Sequence, residues 1–386
     1  MSGSLRIAIL THSTNPRGGV VHALELGDAL SRFGHAPTVH APAAAGERFF
    51  RDTLCRSSCI PASVVGRNVL EMVKMRVADY VRYFKCAENR RFDVWHAQDG
   101  ISGNALAMLK ERGSISTFAR TVHHVDTFED EELSYLQRRA ITTADRLFVV
   151  SRKWQDWLDR KVGRESILVG NGVDNRRFSP IPDATDGQLR TRLRLPAGAP
   201  VFLAVGGVEE RKNSLAILHA FRLVRSQFPA SRLVIAGGAS LLDHDRYQAR
   251  FATALAQSDL PSGAVIQAGS LPQALMPALY RAATSLVFPS TREGFGLVVL
   301  EALACGVPVV VSRIAPFIEY LGDGDVLWCD PFDPSSIASM MALSLSDSSR
   351  AELIQKGLRL AARHDWAKTA SAHFPVYDEL RERIDA

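Results

Sequence analysis

Two glutamates, Glu293 and Glu301, flank a pair of glycines in the stretch Pro289-Ser-Thr-Arg-Glu-Gly-Phe-Gly-Leu-Val-Val-Leu-Glu-Ala-Leu-Ala-Cys-Gly-Val-Pro308. Gly294 and Gly296 let the backbone approach a ligand, and a helix beginning at that point aims free N–H groups at it, which makes an anion site. Carboxylates beside an anion site are suited to accepting hydrogen bonds from sugar hydroxyls. A second chemical stretch, Gly206-Gly-Val-Glu-Glu-Arg-Lys-Asn213, places Arg211 and Lys212 just before another helix. Cations there oppose the helix dipole unless an anion binds, and a diphosphate is an anion they would neutralise. The bland alternative is a solvated surface. Two more glycine loops, Ala236-Gly-Gly-Ala239 with Gly237 and Ala268-Gly-Ser-Leu-Pro272 with Leu271, are compatible with simple turns. Taken with the first two, they put four glycine-bearing loops on one rim, and a nucleotide is the simplest ligand for such a rim.

The elements that must position these residues alternate strand and helix. Ser285–Phe288 and Pro308–Ser312 bracket the two-glutamate stretch, and Val201–Val205, Arg232–Ala236 and Ala264–Gln267 precede it, so this half reads as a parallel sheet layered with helices. The first half repeats the pattern with strands at Leu5–Leu10, Thr38–Ala41, Phe92–Trp95, Phe118–Val122 and Arg146–Val150. Gly18 and Gly19 sit at its first turn, short of the three spaced glycines of a dinucleotide fingerprint. Polar residues recur where its strands end: His96 and Asp99, then His123 and His124, at the edge where open α/β sheets hold ligands. The predicted organisation is α/β, with a Rossmann-like domain over 1–180, a polar linker over 181–198, a second Rossmann-like domain over 199–365 facing the first across a cleft, and a C-terminal helix over 366–386 that packs back on the first. Pro375 predicts a kink or break in that helix.

Asn171-Gly-Val-Asp174 with Phe178 and Pro180, Glu293-Gly-Phe-Gly296 with Glu301-Ala, and Cys305-Gly-Val-Pro308 together resemble the retaining glycosyltransferases of family 4, which have the GT-B fold. The resemblance covers nearly the whole chain. It implies transfer of a sugar from a nucleotide-diphosphate sugar to a hydroxyl acceptor by a hexosyltransferase-type enzyme, without a metal and with the donor as substrate rather than cofactor. It assigns Glu301 to the ribose and Glu293 to the transferred sugar. Gly19, Gly294, Phe295, Gly296 and Leu297 line the donor, with backbone N–H groups of Gly19, Gly296 and Leu297 for the diphosphate. Lys212 matches the diphosphate lysine, and His123, in Thr121-Val-His123, matches the histidine near the reacting carbon. His22, His96, His124 and Asp126 are candidates for the acceptor side, His22 being equally readable as a helix-surface residue and His96 as a cap. The pattern departs at Gly207, where the family places an arginine five residues before the lysine; Arg211 is the candidate to supply that charge. A nucleotide-sugar epimerase and a non-catalytic nucleotide-sugar-binding protein remain rival readings.

Composition narrows the rest. The 386 residues are 46% hydrophobic, ample for two cores. The longest apolar runs fall far below the ~18 residues of a membrane span, and the N-terminus leads directly into a strand, so a cytoplasmic protein is expected. Five scattered cysteines suggest neither a disulfide framework nor a zinc site. The net charge of +5 is concentrated in residues 1–180, with 26 Lys and Arg against 20 Asp and Glu. Part of it lies in a predicted helix from Arg67 to Arg91, a solvated face or, in the sharper reading, a contact for a membrane surface or a phosphate-bearing acceptor. No nucleic-acid motif accompanies the charge. Asp243-His-Asp245 and Asp323-Gly-Asp325 copy the Asp-x-Asp of metal-dependent transferases, but both read as turns, and no metal is expected.

Overall fold

Strands that are buried on both faces need near-continuous runs of aliphatic residues, and this chain supplies them in two series. In the computed structural model, which describes residues 3–66, 68–238 and 245–385, the series form two parallel sheets in two separate units. One unit comprises Met1–Asn171 with Trp366–Ala386, the other Gly172–Asp365.

The first sheet contains β1 (Arg6–Leu10), β2 (Ala36–Ala43), β3 (Arg56–Pro61), β4 (Val94–Ala97), β5 (Ala119–Val122), β6 (Arg146–Val149) and β7 (Ile167–Leu168). Its order is β3-β2-β1-β4-β5-β6-β7. β1 pairs with β2 from Arg6 opposite Ala36 and with β4 from Ile7 opposite Val94. The second contains β8 (Val201–Val205), β9 (Arg232–Ala236), β10 (Val265–Gly269), β11 (Ser285–Phe288), β12 (Val309–Ser312) and β13 (Leu327–Cys329), in the order β10-β9-β8-β11-β12-β13. In each sheet the order reverses beside the first strand, between β1 and β4 and between β8 and β11. The crevice at the carboxyl ends of those strands is where such sheets take ligands.

Three strands escape the pattern reading. β3, at a sheet edge, exposes all but Ser58 and Ile60, and β7 and β13 are two and three residues long, too short to show a period. The division between units falls at Asn171 rather than at 180, and 181–198 is not a featureless linker. Ala184–Arg192 forms a helix whose N-cap Asp183 accepts from Thr185, and Arg281 fastens Asp183 at 2.8 Å and Asp186 at 2.7 Å to the second unit.

The basic helix predicted over 67–91 runs only from Val69 to Tyr83, capped by Asn68, and is followed by a short 3-10 turn at Ala87–Arg90; Arg67 lies outside the described residues. Its positive charge is largely consumed within the unit. Arg76 and Arg82 both pair with buried Asp79, and Lys74 pairs with Glu132. The C-terminal segment is two helices, Trp366–Ser371 and Phe374–Asp385. Pro375 sits in the first turn of the second helix, where its missing N–H is harmless. Trp366, Ala370, Tyr377 and Leu380 are buried in the first unit. Among the described residues, no helix is long and apolar enough to cross a membrane.

Candidate functional site

The loops after β8 and β11 bring together residues 81 apart in sequence. Lys212 Nζ lies 2.5 Å from Glu293 Oε1, and Arg211 Nη1 donates to the same oxygen at 2.9 Å. Both cations precede the helix Ser214–Gln227, with Asn213 in the left-handed region as the hinge between turn and helix. Buried Glu209 contacts the Arg211 Nε at 3.2 Å, and the Phe288 ring lies under Lys212 with its centroid 4.2 Å from Nζ. Burial pulls the Lys212 ammonium down to about 8 despite the carboxylate beside it. For Glu293 burial pushes the other way, but Lys212 and then Arg211 outweigh it and hold the carboxyl below its ordinary range. The result is one buried carboxylate saturated by two cations, a charge balance that an incoming anion would disturb directly.

Glycines shape the wall around this group. A Cβ on Gly206 would stand 2.7 Å from Lys212 Cε, so the glycine leaves the passage through which the lysine reaches Glu293. Gly207, at φ +77°, faces the loop after β9, where a Cβ would meet Gly238 O at 2.9 Å and Gly237 O at 3.2 Å. Gly296 takes φ +93° as N-cap of the helix Leu297–Ala304, and a Cβ there would strike the Phe317 ring at 2.5 Å. No side chain caps this helix. Its first N–H groups are therefore open to an anion. Within the same helix Glu301 accepts from the Tyr280 hydroxyl at 2.6 Å, and burial raises its carboxyl pKa. Phe295 stacks on Tyr320, centroids 4.6 Å apart, and accepts from its hydroxyl through the backbone carbonyl.

In the first unit, the carboxyl ends of β1, β4 and β5 carry His12, Gln98, Asp99 and His123. Half-buried His123 pairs its Nε2 with Gln98 Oε1 at 2.9 Å, and burial lowers its pKa well below the ordinary value. A Cβ on Gly19 would be 3.3 Å from the His123 ring, so the glycine is what lets the ring lie against the helix Gly18–Arg32. His12 Nδ1 lies 3.3 Å from Asp99 Oδ2.

Residues 186–360 match the family described as glycosyl transferases group 1, and residues 16–177 match glycosyltransferase family 4. The D-inositol 3-phosphate glycosyltransferase of Thermobispora bispora is 30% identical over 319 residues, 77% of this chain and 73% of that protein. The chain belongs to the family 4 glycosyltransferases. Among solved structures, sucrose-phosphate synthase of Thermosynechococcus elongatus superposes with a TM-score of 0.81 at 21% identity, covering 97% of this chain and 99% of that one. HepE of Anabaena, solved with UDP and glucose, gives 0.77 at 17% identity, covering 97% and 99%. These likenesses, with the two parallel-sheet α/β units, identify the fold as GT-B.

This glycosyltransferase places its predicted residues unevenly. Lys212, Arg211, Glu293, Gly294, Phe295, Gly296, Leu297 and Glu301 cluster on the β8 and β11 side of the second unit, and Gly237 packs against the Gly206–Gly207 loop. Gly19 and His123 meet in the first. The alternative reading of His22 and the rim reading of His96 are corrected. His22 is fully buried, bonded to Asn171 Oδ1 at 2.6 Å and edge-on to His123 and Trp366, so it is not a helix-surface residue. His96 is also fully buried, with Nε2 on Thr121 and Nδ1 on the Tyr377 hydroxyl, which leaves neither nitrogen for a ligand or a cap. The C-terminal helices cover both. Exposed His124 and Asp126 pair at 3.2 Å beside the strand end. Asp323 bonds Arg313 and Asp325 closes a turn on Gly322; Asp245 opens the helix Asp245–Ala256, while Asp243 and His244 lie outside the described residues. Sequence reading missed Tyr280, Glu209, Gln98 and the Phe288 ring, whose roles depend on partners distant in sequence.

Gly207 now has a physical reason. An arginine there would need a left-handed backbone and would drive its Cβ into two carbonyls that belong to backbone, not to a flexible side chain. Gly207→Arg is therefore expected to cost about 2 kcal/mol or more and to weaken nucleotide binding rather than restore it. Urea unfolding and a nucleotide titration check this; tighter binding with unchanged stability would refute it.

Proposed function

We propose that this enzyme is a retaining hexosyltransferase that moves a sugar from a nucleotide-diphosphate donor to a hydroxyl acceptor without a metal. The observation that carries the reading is the Lys212–Glu293–Arg211 group facing an uncapped helix N-terminus at the strand-order reversal of the second sheet. The diphosphate would take over the two cations and the N–H groups of Gly296 and Leu297, and stabilise the departing charge there. Glu293, released from its cations, would accept hydrogen bonds from the transferred sugar, and Glu301 from the ribose. With Glu293 engaged electrostatically rather than poised as a nucleophile, attack by the acceptor on the same face as the departing diphosphate fits best. The enzyme's contribution is then positioning and charge stabilisation. That HepE was solved with UDP and glucose, and that the relative from Thermobispora bispora is named for glycosyl transfer with D-inositol 3-phosphate, support a nucleotide donor and a polyol-type acceptor. The roles implied for His123, toward the reacting carbon of the sugar, and for the Gly19 N–H, toward the diphosphate, belong to this proposal.

A thermal-shift panel of UDP, GDP and ADP and their sugars tests the donor side, with one base class expected to stabilise the protein markedly. Nucleotide release is then followed with hydroxyl acceptors, and the anomeric configuration of the product is read by NMR. Binding without release would leave a nucleotide-sugar-binding protein, and an inverted product would sink the retaining mechanism.

A further inference from the structure

Arg120 is the second residue of β5, one before the Thr121 that bonds His96. Alternation along the strand turns Arg120 to the opposite face. There the helices Gly100–Glu111 and Glu131–Thr142 approach so closely that a Cβ on Gly103 would lie 2.8 Å from Ala140 Cβ and 3.3 Å from Arg120 Cδ. The arginine is 4% exposed. Among the described residues its Nη1 makes one hydrogen bond, to Gln137 O at 3.3 Å, and its Nε is buried without a partner. Among the described residues it forms no ion pair. Other well-covered arginines of the unit do: Arg51 with Glu25 and Asp28, Arg139 with Glu111.

A buried cation held by one carbonyl is costly, because arginine keeps its charge and the Asp99 carboxylate, which does not bond it, offsets the desolvation only in part. Buried charges persist where a partner of opposite sign repays them. The position of this one is informative. Its charge is felt at Asp99 and at His123, the residues that follow β4 and β5 at the ligand edge of the sheet. Asp99 is already engaged, by the Ser102 N–H through Oδ1 and by His12 through Oδ2, and does not pair with the arginine. Above it, the Gln137 side chain clasps the backbone of Asp126 at both N–H and carbonyl, so the loop from His123 to Asp130 is tied to the same residue whose carbonyl takes Arg120.

We propose that Arg120 recognises an anionic group, a phosphate monoester or a carboxylate, on the hydroxyl acceptor. The guanidinium would exchange its long bond to Gln137 for a charge-assisted, two-pronged contact, the geometry in which arginine binds such groups best. This rests on the transferase reading and adds to it the class of acceptor. It also moves the charge recognition from the basic surface helix, whose Lys74, Arg76 and Arg82 are paired, to a single buried residue three before His123.

The test uses the full chain saturated with the nucleoside diphosphate that stabilises it, so that the anion site of the second unit is filled. Inorganic phosphate, methyl phosphate and acetate are titrated calorimetrically into wild type, Arg120→Met and Arg120→Lys. The wild type is expected to bind at least one of the three, with methyl phosphate or acetate showing which chemistry the site prefers. Arg120→Met is expected to lose binding tenfold or more, Arg120→Lys to lose several-fold, and nucleoside diphosphate binding to stay the same in all three. Equal anion affinity in wild type and Arg120→Met, or no anion binding by wild type, would overturn the proposal. A merely structural arginine would alter stability without altering the anion titration. Should Arg120→Met fail to fold, Arg120→Lys and the wild-type titration decide. Loss of diphosphate binding itself would strike the donor reading instead.

Discussion

Glu293→Gln is expected to lower the transfer rate by roughly 10³-fold, the loss typical of removing one preorganised electrostatic partner. The second unit should stay folded. Glu293 Oε1 is the shared acceptor of Lys212 Nζ and Arg211 Nη1, so the amide removes the counter-charge that positions the two cations and weakens the contact proposed with the transferred sugar. Breaking a buried pair ordinarily costs about 3–5 kcal/mol. Here the penalty is bounded, because Lys212 already titrates at about 8 and sheds its proton cheaply once Glu293 is neutral. The same fact gives the variant a pH signature. Donor binding by wild type should weaken as pH rises through about 8, where Lys212 loses its charge, and in Glu293→Gln that limb should move to lower pH, since the Glu293 carboxylate is what raises the lysine pKa against its burial. Donor KM from pH 6.5 to 9, with kcat and thermal unfolding at pH 7, measures all three effects. Turnover within a few-fold of wild type, or an alkaline limb that does not move, would remove Glu293 from the mechanism.

Legibility in the sequence followed burial and sequence distance. β8, β9 and β11 match the predicted spans residue for residue, because Val201–Val205, Arg232–Ala236 and Ser285–Phe288 are apolar runs with clear polar ends. β3 and β13 carried no such signal, and the helix inside 181–198 was hidden by a composition of Asp, Pro, Gly and Thr that reads as loop until Arg281 supplies its anchor. Within the site, glycines and charges announced an anion cradle. That Lys212 and Arg211 converge on one oxygen of Glu293 could not be read, since the pairing depends on the reversal of strand order between β8 and β11. His22 reads from the sequence as an acceptor contact or a helix-surface residue, and His96 as a rim residue, for a related reason. Their strand and helix positions suggest exposure, and nothing local says that Trp366 and Tyr377 return from the far end of the chain to cover them. Gly207 shows the converse. As a missing arginine it was an anomaly of pattern, and as the partner of Gly237 and Gly238 it is a steric requirement.

Those covered histidines make the first unit acid-sensitive, and its stability is expected to fall steeply between pH 6.5 and 5. Burial holds His22 neutral until about 4, and His40 and His373 until about 3; His96 and His123 are shifted the same way. An unfolded imidazole titrates near 6.5. Above that pH both states are neutral and these residues contribute nothing. Below it the unfolded chain takes up protons that the folded unit refuses, so stability drops with falling pH until the folded values are reached. At pH 5 the penalty is about 2 kcal/mol for each of His22, His40 and His373, together comparable with the whole stability of a typical domain. Carboxylates held below their ordinary range, such as Asp79 and Asp93, work in the same direction but only below about pH 4, so the histidines own this window. His40 offers the cleanest check. It lies among Tyr83, Phe84 and Phe92, with neither ring nitrogen bonded among the described residues. His40→Leu should therefore cost little at pH 7 and remove about one proton from the acid slope. Four of the five tryptophans, Trp95, Trp154, Trp157 and Trp366, lie in the first unit, so urea midpoints followed by tryptophan emission from pH 7.5 to 5 report on the unit in question. A midpoint that stays flat across that range, or a slope that His40→Leu leaves unchanged, would show that the buried rings accept protons without disrupting the packing around them.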